Sequence, residues 1–291
     1  MTAVHLPVLI REVVEMLSLH EGGIYVDATV GLGGHSEEMI KLIGQDGRIV
    51  GIDRDDEALR RTAARLDDKR LILKKGGFSD MAALLHSEHI EEVDGILLDL
   101  GVSMMQLKDM NRGFSFVSDE RLDMRMDQSQ DFSAWDVVNG YSERELTRIL
   151  KEYGEEYRAA RISRAIVGNR SKKSIDTCKE LEEIVFRAVG RHGRMHPATK
   201  TFQAVRIEVN RELAELAQAL QASLGILKKG GRLAVISYHS LEDRIVKHFV
   251  RDNAKAGLLR PLTKKPLSPS IAELRGNPSS RSAKLRGVEK L

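Results

Sequence analysis

Residues 24–35 read Ile-Tyr-Val-Asp-Ala-Thr-Val-Gly-Leu-Gly-Gly-His, and no other stretch restricts the fold of this chain as strongly. An apolar β-run from Ile24 to Val26 ends at Asp27, a glycine-rich turn follows, and a helical pattern starts near Ser36. Arg48-Ile-Val-Gly-Ile-Asp53 supplies a second short apolar run ending in a carboxylate, 20 residues after Gly33. A strand, a glycine turn, a helix, a strand and a terminal acid make the nucleotide-binding half of a doubly wound α/β sheet. The glycines let the backbone approach a bulky ligand. Asp53 is placed to accept both hydroxyls of a ribose.

Two ligand classes compete for such a turn. A dinucleotide fold uses G-x-G-x-x-G with the pyrophosphate at a helix N-terminus. Here no glycine stands three residues after Gly33, and Asp27 precedes the turn. A carboxylate there suits a positively charged ligand, and the sulfonium and amino groups of S-adenosylmethionine meet that requirement. The methyl donor is therefore preferred to a dinucleotide. Further along, Arg70–Lys75 forms a third strand and Gly76-Gly77-Phe78-Ser79 turns the chain. Phe78 serves either to cover an adenine face or to fill the core. The fourth strand, Val93–Asp99, runs into Leu100-Gly-Val-Ser103. Asp27, Asp53, Phe78 and Asp99 all fall at carboxyl ends of strands, where open α/β sheets bind ligands.

Helical patterns over residues 6–18, 36–43, 55–66 and 79–87 alternate with these strands, so the sheet is expected to be parallel. The next sheet-like segment is Arg232–Ser237, about 130 residues after the fourth strand. One crossover needs far less chain, so something is inserted. The insert reads as helices: Ser142–Leu150 with a serine cap, Tyr157–Val167 and Thr177–Val189. A long helical pattern, Thr201–Leu227, returns the chain to the sheet. The expected organisation is a sheet domain of residues 1–107 and 199–291, with an inserted helical substrate-recognition domain at 108–198. Ser240 is expected to cap the helix after the fifth strand, with Asp243 as capping-box partner. The proline-containing tail from Ala256 is expected to be extended, with Ala283–Glu289 adding an edge strand.

Apolar residues make up 42% of the 291, enough for a sizeable core, and Cys178 is the only cysteine. That excludes a disulfide framework and a cysteine metal cluster. His192 and His196 flank Arg194 without a His-Glu-x-x-His pattern, so no metal is expected. Glu12 and Glu15 interrupt the first helix, which is unlike a signal peptide, and no apolar run approaches a bilayer span. A cytoplasmic protein without a membrane partner is expected. The net charge of +3 is uneven: residues 255–291 carry +7 and residues 151–211 carry +6, leaving −10 on the rest. Basic segments on an acidic body suit a polyanion; solvated helix faces and a free tail are the plainer alternative.

These blocks together resemble the MraW/RsmH family. The resemblance rests on His5-Leu-Pro-Val-Leu, Asp27–Ser36, Asp53-Arg-Asp, Asp99–Ser103, Arg112-Gly-Phe-Ser-Phe116, Leu122–Met126, His196–Ala204, Ser237–Arg244 and Arg281–Arg286, in one order and almost end to end. It implies a class I S-adenosylmethionine-dependent methyltransferase (Rossmann-like) fold. It implies methylation of the exocyclic N4 amine of a cytosine in small-subunit ribosomal RNA, in support of decoding-site maturation. Gly33, Gly34, His35, Asp53, Phe78, Asp99 and Gln106 are implied contacts of the methyl donor. The implied partner is that RNA or the assembled small subunit, and a homodimer stays open. Two departures stand out: Met104 where the family has a second serine, and Glu120-Arg121 where it has Gly-Pro.

A cytosine amine is a poor nucleophile, because its lone pair is delocalised into the ring. Catalysis is therefore mostly positioning, together with acceptors for the amine protons. Asp99 accepts either from that amine or from the donor's own amino group, the second being favoured by the resemblance. Ser103 then serves the amine, or is simply a turn hydroxyl. Tyr238 and His239 follow the fifth strand and are candidates to stack on a flipped cytosine, with a structural role as the alternative. Arg112, Arg121 and Arg125, with Phe114 and Phe116, form a candidate RNA-facing hinge, and Lys200 and Arg206 are placed on a helix for the same cleft. A DNA amino-methyltransferase and a non-enzymatic ribosome-assembly factor are the competing functions. The missing Pro-Pro-aromatic motif weighs against the first, and the intact Asp27, Asp53 and Asp99 weigh against the second.

Overall fold

The computed structural model describes residues 7–103, 112–116, 119–191 and 196–291. In chain order its elements are α1 (Ile10–Leu17), β1 (Ile24–Asp27), α2 (Gly34–Ile40), β2 (Arg48–Asp53), α3 (Asp56–Leu66), β3 (Leu71–Lys75), α4 (Met81–Ser87) and β4 (Val93–Asp99). Then come α5 (Ala134–Gly140), α6 (Glu143–Glu152), α7 (Ala159–Arg170), α8 (Cys178–Val189), α9 (Thr199–Asn210) and α10 (Glu212–Ile226). The chain finishes with β5 (Leu227–Ser237), α11 (Ser240–Lys255), β6 (Leu259–Pro261), α12 (Ile271–Gly276) and β7 (Lys284–Lys290). Two compact units result, Met1–Gly101 with Leu213–Leu291, and Val102–Glu212.

The first unit is a doubly wound α/β sheet in the order β3-β2-β1-β4-β5-β7-β6. Strands β1 to β5 pair in parallel, and β7 runs antiparallel to both its neighbours. Side chains alternate across the pleat. Val26, Ile96, Leu98, Leu233 and Val235 pack with Met81 of α4, Leu220 of α10 and Phe249 of α11. Tyr25, Leu97, Ala234 and Ile236 face the other way, toward Val13 of α1 and Met39 of α2. Burial on both faces explains why the strands read as short continuous apolar runs.

The second unit is helical, with its own core of Leu146, Ile149, Ile162, Ile166, Leu181, Val185 and Phe202. Capping boxes start three of its helices, the first being Ser133 with Asp136 ahead of α5. Ser142 pairs with Glu145 ahead of α6, and Thr177 with Glu180 ahead of α8. The boundary expected at residue 198 falls instead at 212, because the single helix expected over 201–227 is two. Arg211 takes a left-handed conformation (φ 52°) and ends α9. Asn210 ties that end to the insert: its side chain donates to Met124 O and accepts from Met126 N, both at 2.8 Å. The other boundary lies at 101/102 rather than 107/108.

The tail also differs from expectation. It contains a short helix, α12, and its last strand is not an edge: β7 fills the slot between β5 and β6. The cap of α11 differs too. His239, not Ser240, is the N-cap, and Glu242, not Asp243, closes the capping box. Asp243 instead meets Arg286 Nε at 2.7 Å and Lys284 Nζ at 3.2 Å, fastening α11 to β7. Burial acts to raise the Asp243 pKa, but hydrogen bonding and charge from Arg286 and Lys284 outweigh it and hold the carboxyl below its ordinary value. A carboxylate with a depressed folded-state pKa stabilises the fold above its unfolded pKa and loses that contribution as pH falls through the folded value. Asp243→Asn should therefore lower the urea midpoint at pH 7, and the gap from wild type should shrink at pH 3. A gap that stays constant with pH would exclude this pair as the cause.

Candidate active site

The carboxyl ends of β1, β2 and β4 each carry an aspartate in the first unit. Asp27 is buried at the end of β1. Its Oδ2 accepts from Ser36 Oγ at 2.7 Å, while Oδ1 is buried without a hydrogen-bond partner among the described residues. Burial raises its pKa, against the pull of His35 and of the Ser36 hydroxyl. A buried carboxylate oxygen left unpaired is costly, and a cationic or N–H-bearing ligand would remove that cost. This orphan atom fits the amino group of S-adenosylmethionine.

Asp53 ends β2. Its Oδ2 accepts from Gly31 N and its Oδ1 from Asp55 N, both at 2.9 Å. Burial pushes its pKa up to about 6, opposed by those two amides. Each oxygen keeps a lone pair for a further donor, as a ribose hydroxyl requires. The turn between β1 and α2 needs Gly33: its φ is +75°, and a Cβ there would lie 2.8 Å from side-chain carbons of Thr62 and Leu66 on α3. Gly34 follows as the first residue of α2, with Pro7 at van der Waals distance from a Cβ built on it.

Asp99 ends β4. Its amide donates to Thr29 Oγ1 at 2.7 Å, and its Oδ1 accepts from the Tyr238 hydroxyl at 2.8 Å. Its Oδ2 lies 3.7 Å from Nδ1 of buried His35, whose Nε2 is 3.0 Å from the Val8 carbonyl. Burial lifts Asp99 to about 6; His35 and the Tyr238 hydrogen bond pull it down, and Asp27 and Glu242 push it further up. Tyr238 is shifted upward by its own burial and by Asp99, so it stays protonated and donates. Glu242 fixes this corner by accepting from the amides of Tyr238 (2.8 Å) and His239 (3.2 Å).

Phe78 begins a short 3₁₀ turn after β3 and packs partly against the sheet core. The Arg54 guanidinium lies 5.6 Å from its ring centre, and Glu215 of α10 accepts from Arg54 (3.1 Å) and from Ser79 Oγ (2.6 Å). Both expected roles of Phe78 are compatible with that position.

The structure thus brings together Asp27, His35, Asp99 and Tyr238, with Gly33, Gly34, Asp53 and Phe78 on the neighbouring strand ends. Other expected residues are placed differently. Tyr238 is engaged by Asp99, and His239 serves as the cap of α11, with Nε2 3.1 Å from Glu242 Oε1. Both rings are half-buried, and the polar atoms of each are tied to neighbouring carboxylates. Arg112 is buried in the helical unit, where it donates to the carbonyls of Arg125 and Met126, both at 3.0 Å. In that position it braces the loop that carries Arg125 and Met126. Arg125 pairs with Asp123, Arg206 with Glu212, and Lys200 donates to the Glu155 carbonyl. Ser103 is half-buried in the loop that opens the second unit. Gln106 and Met104 lie outside the described residues. Sequence reasoning missed Ser36, Glu242 and the Arg54–Glu215 pair. The first two lie inside recognisable motifs, and Glu242 stands at capping-box spacing from His239, whereas nothing local links Arg54 to Glu215.

No helix among the described residues is long and apolar enough to cross a membrane. The sequence matches the model of the MraW methylase family over residues 2–291. A protein of Persephonella marina named ribosomal RNA small subunit methyltransferase H is 50% identical over 292 residues, covering 99% of each chain. Proteins of the same name from a Sulfurihydrogenibium species and from Carboxydothermus hydrogenoformans are 48% and 47% identical. They cover 97% and 99% of this chain, and 97% and 98% of their own lengths.

A hydrogen bond donated to a carboxylate favours its charged form. Removing it with Tyr238→Phe should move the Asp99 titration above its wild-type value near 6. Following the Asp99 carboxyl-carbon signal against pH by NMR measures this. An unmoved titration would mean that the Tyr238 hydroxyl does not hold the charged carboxylate.

Proposed function

The chain belongs to the MraW methylase family, and on that premise we propose that it transfers a methyl group from S-adenosylmethionine to the exocyclic N4 amine of a cytosine in small-subunit ribosomal RNA. The observation that carries the reading is the set of carboxylates at adjoining strand ends, with one oxygen of Asp27 buried and without a hydrogen-bond partner among the described residues. When bound, S-adenosylmethionine supplies a methyl group on a positively charged sulfur.

The roles then divide along the strand ends. Asp53 accepts from the ribose hydroxyls, and Phe78, steadied by Arg54, covers the adenine. Gly33 and Gly34 keep the turn free of side chains where the donor passes, and Gln106 is a further contact carried over from the family resemblance. Asp27 and Asp99 attract the amino group and set a negative potential for the cationic donor. Tyr238 and His35 position Asp99 rather than touching substrate. Ser103 follows Asp99 in the chain and offers an acceptor lone pair for a proton of the cytosine amine, which favours a pyramidal nitrogen. Fixed acceptors of this kind lower the barrier by orientation. The helical unit is assigned to RNA recognition, and the substrate is the RNA itself or the assembled small subunit.

The test of function is transfer of labelled methyl to small-subunit ribosomal RNA, to assembled subunits and to DNA. Label should appear on cytosine N4 in one of the first two and not in DNA. Transfer to DNA alone would overturn the reading. For the donor pocket, Asp53→Ala should weaken donor binding about tenfold or more, since a hydrogen bond to a charged group contributes roughly 1.5–3 kcal/mol. Calorimetry on the folded variant decides it, and an unchanged affinity removes Asp53 from the pocket. Wild-type affinity should also fall as pH drops through about 6, where Asp53 and Asp99 take up protons.

A further inference from the structure

Within the helical unit, aromatic rings and cations gather at the carboxyl end of α8. The Gly190 amide closes that helix on the Phe186 carbonyl at 2.7 Å. The Arg158 guanidinium donates to the Val189 carbonyl at 2.6 Å and lies 5.1 Å from the Tyr157 ring centre. Tyr157 is 76% exposed and Phe186 is 43% exposed. Behind Phe186 the rings continue inward. His196 is stacked with Phe186 (centroids 6.4 Å apart, planes at 27°) and with Phe116 (4.6 Å, 13°). Phe116 in turn meets buried Phe202 edge-on at 5.6 Å. His196 Nε2 is 3.2 Å from Glu182 Oε1, which fixes the middle ring.

A single exposed aromatic needs no explanation. Here, however, the outermost ring of a packed stack faces water, with a second exposed ring at the same helix end. Charge is distributed accordingly. Residues 157–200 contain eleven Lys/Arg and four Asp/Glu, whereas residues 102–156 contain seven and twelve. The positive charge of the unit thus coincides with the segment that carries Tyr157 and Phe186, and Arg187 and Arg191 are exposed beside Phe186 in sequence. Rigid rings suit the faces of unpaired bases, and neighbouring cations suit their phosphates.

We propose that Phe186 and Tyr157 form a stacking platform for unpaired bases of the RNA substrate, with Arg191 contacting the phosphate backbone. The proposal rests on the reading that this chain acts on RNA, and it assigns that recognition to one end of α8. A stacking contact and a phosphate contact leave different signatures. Loss of a stacked base weakens binding equally at every salt concentration, whereas loss of a phosphate contact flattens the dependence on log salt.

The experiment measures affinity for small-subunit ribosomal RNA and for assembled subunits at several salt concentrations. It compares wild type with Phe186→Ala, Tyr157→Ala, Phe186→Trp and Arg191→Ala. Each alanine variant at an aromatic should bind about fivefold or more weakly with an unchanged salt slope. Phe186→Trp should keep wild-type affinity, and Arg191→Ala should flatten the slope. Donor affinity and thermal midpoint, measured on the same proteins, should not move. Wild-type affinity of both alanine variants for both substrates overturns the platform. Weakening on assembled subunits alone, with naked RNA bound as by wild type, also overturns it, since the rings would then face a ribosomal protein. If wild type itself binds neither substrate, the RNA reading fails first, an outcome distinct from failure of the platform.

Discussion

Strand β1 is the hinge of the architecture, because the parallel sheet grows from it in both directions. Strands β2 and β3 extend one side, and β4 and β5 the other. At such a reversal the connections leave to opposite faces, and a crevice opens at the carboxyl ends. Asp27, Asp53 and Asp99, each at the end of its strand, lie along that rim. Buried acids are expensive there, and the surrounding residues are arranged to offset the cost: two amides on Asp53, a hydroxyl and an imidazole on Asp99, and a hydroxyl on Asp27. The second oxygen of Asp27 has no hydrogen-bond partner among the described residues.

Much of this was legible before any coordinates. The glycine turn after Asp27, the acids at strand ends and the βα alternation rest on local chemistry, namely turn geometry, strand length and pleat. They therefore survive folding unchanged. The helix starts at Ser142 and Thr177 were readable for the same reason, since a cap and its partner lie three residues apart.

What was not legible depended on contacts between residues far apart in the chain. Arg211 is not a glycine, so nothing in the apolar pattern marks the break between α9 and α10; the tie from Asn210 to Met124 and Met126 decides it. Arg112 reads as part of an RNA-facing hinge, and nothing local announces its bonds to carbonyls 13 and 14 residues away in the chain. Tyr238 reads as a ring that follows the fifth strand, and nothing in its motif announces that its hydroxyl donates to Asp99, 139 residues away. Two motifs singled out separately thus turn out to be halves of one hydrogen bond. That is a relation no spacing rule reports.

The slot taken by β7 bears on how the molecule is made. Strand β6 precedes β7 in the chain but lies outside it, so β6 has no neighbour to pair with until β7 has been synthesised. During translation β5 presents an open hydrogen-bonding edge throughout the production of α11, β6 and α12. Such an edge is a template for mispairing with another chain. Sealing it falls to a late antiparallel insertion, locked by Arg286 and Lys284 closing on Asp243. Nascent chains are therefore most vulnerable to aggregation just before that strand arrives.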